Sequence, residues 1–210
     1  MESFFTGLDP ITAQDLADLS KRMFELRESR KRLLAESGCV DAEELLTALR
    51  DGRLHEHPTY EGWLAVVLLQ RQQQELYEQI DWRCRHPDEE AQPPAPANDL
   101  ASLASSLTLP SAFARQEMRL HPDAIACTDG NGLEVLVRIV SAQDWSFEWR
   151  FDQAYWRLDT APVQHPGITT RAHLHRPDGS VAADPLALDG NTAGICVQRF
   201  LDALAQSHQW

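Results

Sequence analysis

At 210 residues the chain has room for one or two domains, and 43% hydrophobic with 8% aromatic residues excludes a disordered polymer. Four scattered cysteines (Cys39, Cys84, Cys127, Cys196) with no Cys-x-x-Cys pair argue against a disulfide framework and a cysteine-based zinc site. The net charge of −13 makes the chain a poor generic nucleic-acid binder, because phosphate neutralisation needs clustered cations.

That charge is uneven. Residues 1–109 hold 11 Lys/Arg against 20 Asp/Glu, or −9, while residues 110–210 hold 8 Arg against 12 Asp/Glu, or −4. The start of the chain carries no charged-then-apolar leader pattern, and the longest aliphatic run is the six residues Leu64 to Leu69. Neither a signal peptide nor a membrane span is expected, which points to the cytoplasm.

In chain order, a first helix is expected from an N-cap near Thr12 to a stop at Ser37-Gly38, with a stripe of Leu16, Leu19, Met23, Leu26 and Leu33. Asp41 caps a short helix in a capping box with Glu44, and Asp51-Gly52 ends it. A loop with His55, His57 and Pro58 leads to a third helix over 59–83, whose apolar side is Tyr60, Trp63, Leu64, Val67, Leu68, Tyr77 and Ile80. His55 and His57 read as polar residues of that loop. Two long helices joined by a short one make an antiparallel hairpin that buries little area alone. It needs a second copy, the C-terminal half or a partner protein.

Residues 85–99, with Pro93-Pro94-Ala95-Pro96, read as an extended tether, and 100–113 as a short helix leading into the second half. The linker as a whole is placed at 85–110. From Asp123 the period changes to two. Strands are expected at 124–128 and 133–140 around Asp129-Gly130-Asn131-Gly132, then at 145–151 and about 154–159. A further hairpin, 171–176 with 181–183, turns at Pro177-Asp178-Gly179. Asn191 is placed to cap a last helix, to about Ala205, with the stripe Ala193, Val197, Phe200, Leu201 and Leu204. The predicted fold class is α+β: an antiparallel helical hairpin (1–84) linked to an antiparallel sheet carrying one C-terminal helix on one face (111–210).

Strand alternation places the candidate chemistry. If Trp145, Phe147, Trp149 and Phe151 face the last helix, the other face carries Glu148 and Arg150, then Tyr155, Arg157 and Asp159, then Arg171, His173 and His175. Histidines, arginines and carboxylates on one surface are what metal-independent RNA cleavage requires. One group deprotonates the ribose 2′-hydroxyl, another protonates the leaving oxygen, and a cation stabilises the phosphorane. The catalytic candidates are His173 and His175 as acid and base, Arg157 and Arg171 on phosphate, Asp159 orienting a histidine or anchoring the loop, and His165 from that loop. The alternative for each is a solvated residue on the outer side of a half-buried sheet. His173-Leu174-His175 with His165 and Asp159 also offers metal donors. Without helix-borne ligand pairs or cysteines, no metal and no cofactor is assigned. No phosphate-binding glycine loop or nucleophile elbow is present.

Trp145 to Leu204 resembles the TumE family, RNase toxins of bacterial toxin–antitoxin pairs that act on messenger RNA. The likeness lies in Trp145-Ser146-Phe147-Glu148-Trp149-Arg150, Arg157-Leu158-Asp159-Thr160-Ala161-Pro162, His165-Pro166, His173-Leu174-His175 and the closing Phe200-Leu201-Asp202-Ala203-Leu204. Thr160 stands where the family has Asn, and the histidine after the proline is displaced by two residues. The resemblance implies an RNA substrate and a toxin-type ribonuclease domain. The helical half lies outside it, as a partner-binding, antitoxin-like or homodimerising module. A second reading is a non-catalytic interaction subunit of a toxin–antitoxin or defence system, in which the acidic hairpin masks a basic partner.

Overall fold

The computed structural model describes residues 8–86, 99–111, 113 and 118–207. The Pro/Ala-rich part of the predicted tether, 87–98, lies outside them. The α+β class is observed: three N-terminal helices, a short fourth, a seven-stranded antiparallel sheet and a C-terminal helix. Among the described residues no helix is long and apolar enough to cross a membrane.

Helix α1 spans Pro10–Ser37. Its cap is Asp9 rather than Thr12, because the Asp9 carboxylate accepts from the Ile11 and Thr12 amides at 2.9 and 3.1 Å, and Pro10 suits the first helical position. Gly38, at φ +70°, closes the helix as expected. Helix α2, Ala42–Arg50, is capped by Asp41, and Glu44 reaches back to the Val40 amide at 2.8 Å. Helix α3, Glu56–Arg85, has non-helical backbone at His57 and Pro58, so its regular part begins at Thr59 as the sequence suggests. Leu26, Leu69 and Leu76 join α1 to α3. Tyr77 departs from the expected stripe: it is 63% exposed.

Helix α4, Asp99–Ser106, falls inside the predicted linker range. It is part of the sheet's core, where Leu100, Leu103 and Ala104 are buried.

The strands β1 (Arg119–Leu120), β2 (Ile125–Thr128), β3 (Glu134–Ile139), β4 (Trp145–Phe151), β5 (Ala154–Asp159), β6 (His173–His175) and β7 (Val181–Ala183) follow each other in sheet order as in sequence. Helix α5 is Ala193–Leu204. Asn191 does not cap it. Thr192 holds the cap position, and the Asn191 side chain donates to the Ala187 and Leu188 carbonyls. Trp145, Phe147 and Trp149 lie under α5, with Phe200 stacked 4.8 Å from Phe147 and edge-on to Trp149 at 5.4 Å. Each fully buried side chain of this size contributes on the order of 1.5–3 kcal/mol. Leu158, Ala172 and Leu174 share this core, as the alternation requires. Cys127 and Cys196 are buried there as free thiols.

The opposite face of the sheet is not open water. Glu61 of α3 contacts Arg157 and Ser146, and Tyr60 bonds Thr160 at 2.9 Å. Ala161, Val140 and Val163 pack into the cluster of Leu34, Leu45, Leu49, Tyr60, Trp63 and Leu64. Of the three ways the hairpin could bury its apolar side, docking on the C-terminal half is the one observed.

Candidate functional site

Sheet register builds the floor of the site. Glu148, Arg157 and His175 form one cross-strand row, and Ser146, Asp159 and His173 the next. Side chains of adjacent rows two residues apart point the same way, so both rows face the start of α3. The loop after β5 brings in His165. The non-helical His57-Pro58 segment lets Glu56 and His57 reach over the sheet before α3 becomes regular.

Four imidazoles meet here. His57 Nε2 lies 3.1 Å from His175 Nε2 and 3.4 Å from Asp159 Oδ2. His173 Nε2 lies 2.9 Å from Glu56 Oε1 and 3.5 Å from Asp159 Oδ1. His165 Nε2 is 3.1 Å from Glu56 Oε2, and His175 Nε2 is 3.5 Å from Glu56 Oε1. Two overlapping quartets of donor atoms result, each with its atoms within 4.8 Å of one another: Glu56, His165, His173 and His175; and Glu56, His57, Asp159 and His175. The side chains of His57, His165 and His175 keep 15–18% exposure, whereas His173 keeps 2% and Asp159 none.

A surrounding layer holds these groups in orientation. His57 Nδ1 meets both Glu61 oxygens at 2.9 and 3.0 Å, so it carries the proton and donates. His173 Nδ1 donates to the Arg171 carbonyl at 2.9 Å. Both rings therefore turn Nε2 inward. Glu61 is itself fixed by the Ser146 hydroxyl at 3.2 Å and by Arg157 at 2.9 Å. Arg157 lies over the Tyr155 ring and donates to its hydroxyl, and Tyr155 in turn donates to Glu148. Asp159 Oδ1 accepts from the Ala161 amide at 2.8 Å, anchoring the loop, while Oδ2 is buried without a hydrogen bond.

Protonation follows from these contacts. Burial opposes the charge on Glu56, but hydrogen bonds from His173 and His175 and the nearby His57 hold its carboxyl far below the usual range. Glu61 is likewise lowered: burial works against it, and the His57 bond with the His57 and Arg157 charges outweighs burial. Burial pushes Asp159 upward despite the flanking imidazoles. His173 is raised, since its bond to Glu56 and the Asp159 charge overcome burial.

Of the residues singled out from sequence, Arg157, Asp159, His165, His173 and His175 come together. Arg171 does not. Its guanidinium binds Asp144 at 2.7 Å and is 42% exposed, and only its carbonyl serves the site. Sequence reasoning missed Glu56, His57 and Glu61, placing His57 in a bland loop. One signal existed: Glu61 interrupts the apolar side of α3 between Tyr60 and Trp63, a position where a carboxylate must have a partner. Glu56 and His57, on the irregular segment ahead of the regular part of α3, add donors to those of the strands and the loop. Compared with protein-family models, curated proteins and solved structures, the chain matches none.

Proposed function

We propose that this chain is an RNA-cleaving enzyme whose active centre is the histidine–carboxylate cluster between α3 and the sheet. The observation that carries the reading is the convergence of His57, His165, His173 and His175 on Glu56 and Asp159, with Arg157 beside them. Phosphodiester cleavage needs a proton acceptor at the attacking oxygen, a donor at the leaving oxygen and positive charge near the phosphorane. RNA as the substrate is supported by the TumE resemblance, whose Arg157, Asp159, His165, His173 and His175 are the residues of the sheet half that line the cluster.

Access divides the roles. His57, His165 and His175 reach solvent and are the groups available to substrate, whereas His173 is buried behind Glu56 and positions it. Arg157 pairs with Glu61, the carboxylate that also holds His57; Arg171, facing Asp144, takes no part. The test is cleavage of single-stranded RNA by the full chain, with divalent metals supplied, against His175→Ala. Loss of about 100-fold or more in the variant is expected; equal rates, or an inert parent chain, would overturn the reading.

A second reading, binding of a protein partner or a second copy through the helical half, is favoured by one feature. Ile11, Phe24 and Tyr77 are 74%, 55% and 63% exposed on that acidic half. A solution mass above the monomer that falls on Phe24→Glu supports self-association; an unchanged monomer removes it.

A further inference from the structure

We propose that the cluster binds one divalent first-row transition-metal ion, held by the quartet Glu56, His57, Asp159 and His175. The inference rests on the same centre as the proposed RNA cleavage and replaces the metal-independent route expected from sequence.

Spacing is the first argument. Nitrogen and oxygen donors at about 2.0–2.2 Å from one ion lie about 2.8–3.1 Å from each other along an octahedral edge and about 3.3–3.6 Å along a tetrahedral one. The separations within this quartet run from 3.1 Å (His57 to His175) through 3.4 Å (His57 to Asp159), 3.5 Å (His175 to Glu56) and 3.6 Å (His175 to Asp159) to 3.7 Å (His57 to Glu56).

Tautomers give the second argument. Glu61 and the Arg171 carbonyl take the Nδ1 protons of His57 and His173. With Nδ1 of neutral His57 donating to Glu61, its Nε2 carries a lone pair aimed at Asp159, Glu56 and the His175 ring, an arrangement relieved by a proton or a cation between them. Carboxylate and carbonyl partners on the outer nitrogen are how metal-bound histidines are generally oriented. Thirdly, Asp159 is fully buried and its Oδ2 lacks a hydrogen bond while facing His57 and His175. A buried carboxylate oxygen demands a partner. Two carboxylates and two neutral imidazoles sum to −2, which a divalent ion neutralises.

Donor type selects the class of ion. Two imidazole nitrogens and two carboxylates, with no thiolate, suit Zn²⁺, Co²⁺, Ni²⁺, Fe²⁺ or Mn²⁺ better than Ca²⁺ or Mg²⁺, which take oxygen donors. His165, carried by the loop between β5 and β6, belongs to the other quartet and stays outside this donor set.

The test is metal binding, read without RNA. The full chain, stripped with chelator, is titrated with Co²⁺, Zn²⁺ and Mg²⁺. One equivalent of Co²⁺ and of Zn²⁺ is expected, with Co²⁺ visible absorption of a nitrogen/oxygen site, and no stoichiometric Mg²⁺. His175→Ala and Asp159→Asn should weaken binding at least about tenfold, while His165→Ala keeps one equivalent. Should Asp159→Asn not fold, His175→Ala with a circular-dichroism spectrum like the parent's carries the test. Binding below one equivalent, or unchanged affinity in His175→Ala, overturns the proposal. Metal bound without RNA cleavage would leave this inference standing and remove the function; cleavage by a chain that binds neither Co²⁺ nor Zn²⁺ would do the reverse.

Discussion

His57 Nε2 and His175 Nε2 stand 3.1 Å apart although 118 residues separate them in the chain. The contact joins the first turn of α3 to the sixth strand, so the site belongs to neither half. The helical half does more than tether or mask the sheet: it supplies Glu56, His57 and Glu61.

Glu61 is the most exacting of these. It is 6% exposed and balances Arg157 and His57. Glu61→Ala leaves the Arg157 guanidinium buried with its main counter-charge gone, a change that costs about 3–5 kcal/mol. Urea denaturation should show that loss, with a smaller one for Glu61→Gln. A midpoint unchanged in Glu61→Ala would mean that Arg157 is not held by this pair.

The two halves are also pinned through Thr160. Its hydroxyl meets Tyr60 Oη at 2.9 Å and the Trp145 amide at 3.0 Å. Tyr60→Phe removes one bond and should cost about 1 kcal/mol. Thr160→Val strands two buried donors and should cost more, about 1–3 kcal/mol. Thermal melts of both variants check the order; Tyr60→Phe as the worse of the two would contradict it.

Stability of the metal-free chain should peak in weak acid. Glu56 and Glu61 are depressed below their ordinary 4.5, so their contribution is present above that pH and is lost as pH falls through the folded values. His173 is raised above its ordinary 6.5, so its contribution is full below 6.5 and is lost as pH rises through the raised value. Asp159, raised by burial, works in the same direction as His173, since ionising it in place costs stability. In chelator, His173→Gln should flatten the alkaline decline of a melting-temperature profile and leave the acid limb; an alkaline limb as steep as the parent's would contradict the assignment.

Much of the sheet half was legible because period-two alternation is a local property. Trp145, Phe147 and Trp149 on one side fixed where Arg157, Asp159, His173 and His175 had to point, and their pairing rows followed. Docking of α3 was not legible, because it depends on contacts such as Tyr60 with Thr160, 100 residues apart. The candidate surface therefore read as one face of the sheet alone, uncovered by α3, and His57 as a loop residue. Tyr77 failed for a related reason: helical period marks a stripe, but only the packed partner decides how far along α3 that stripe is covered. Arg171 shows the reach of a long side chain at the strand's edge. Its Cα has the right parity, yet Asp144 draws the guanidinium away.

The central claim, one RNA-cleaving centre assembled from both halves, is tested most directly on His57, which lies in the helical half and outside the TumE-like segment. Initial rates on a fluorescently labelled single-stranded RNA are compared for the full chain and His57→Ala, both refolded to the same circular-dichroism spectrum and supplied with Zn²⁺ or Mn²⁺. The account predicts measurable cleavage by the parent and a fall of about 100-fold or more in the variant. Cleavage undiminished by loss of this imidazole would contradict it.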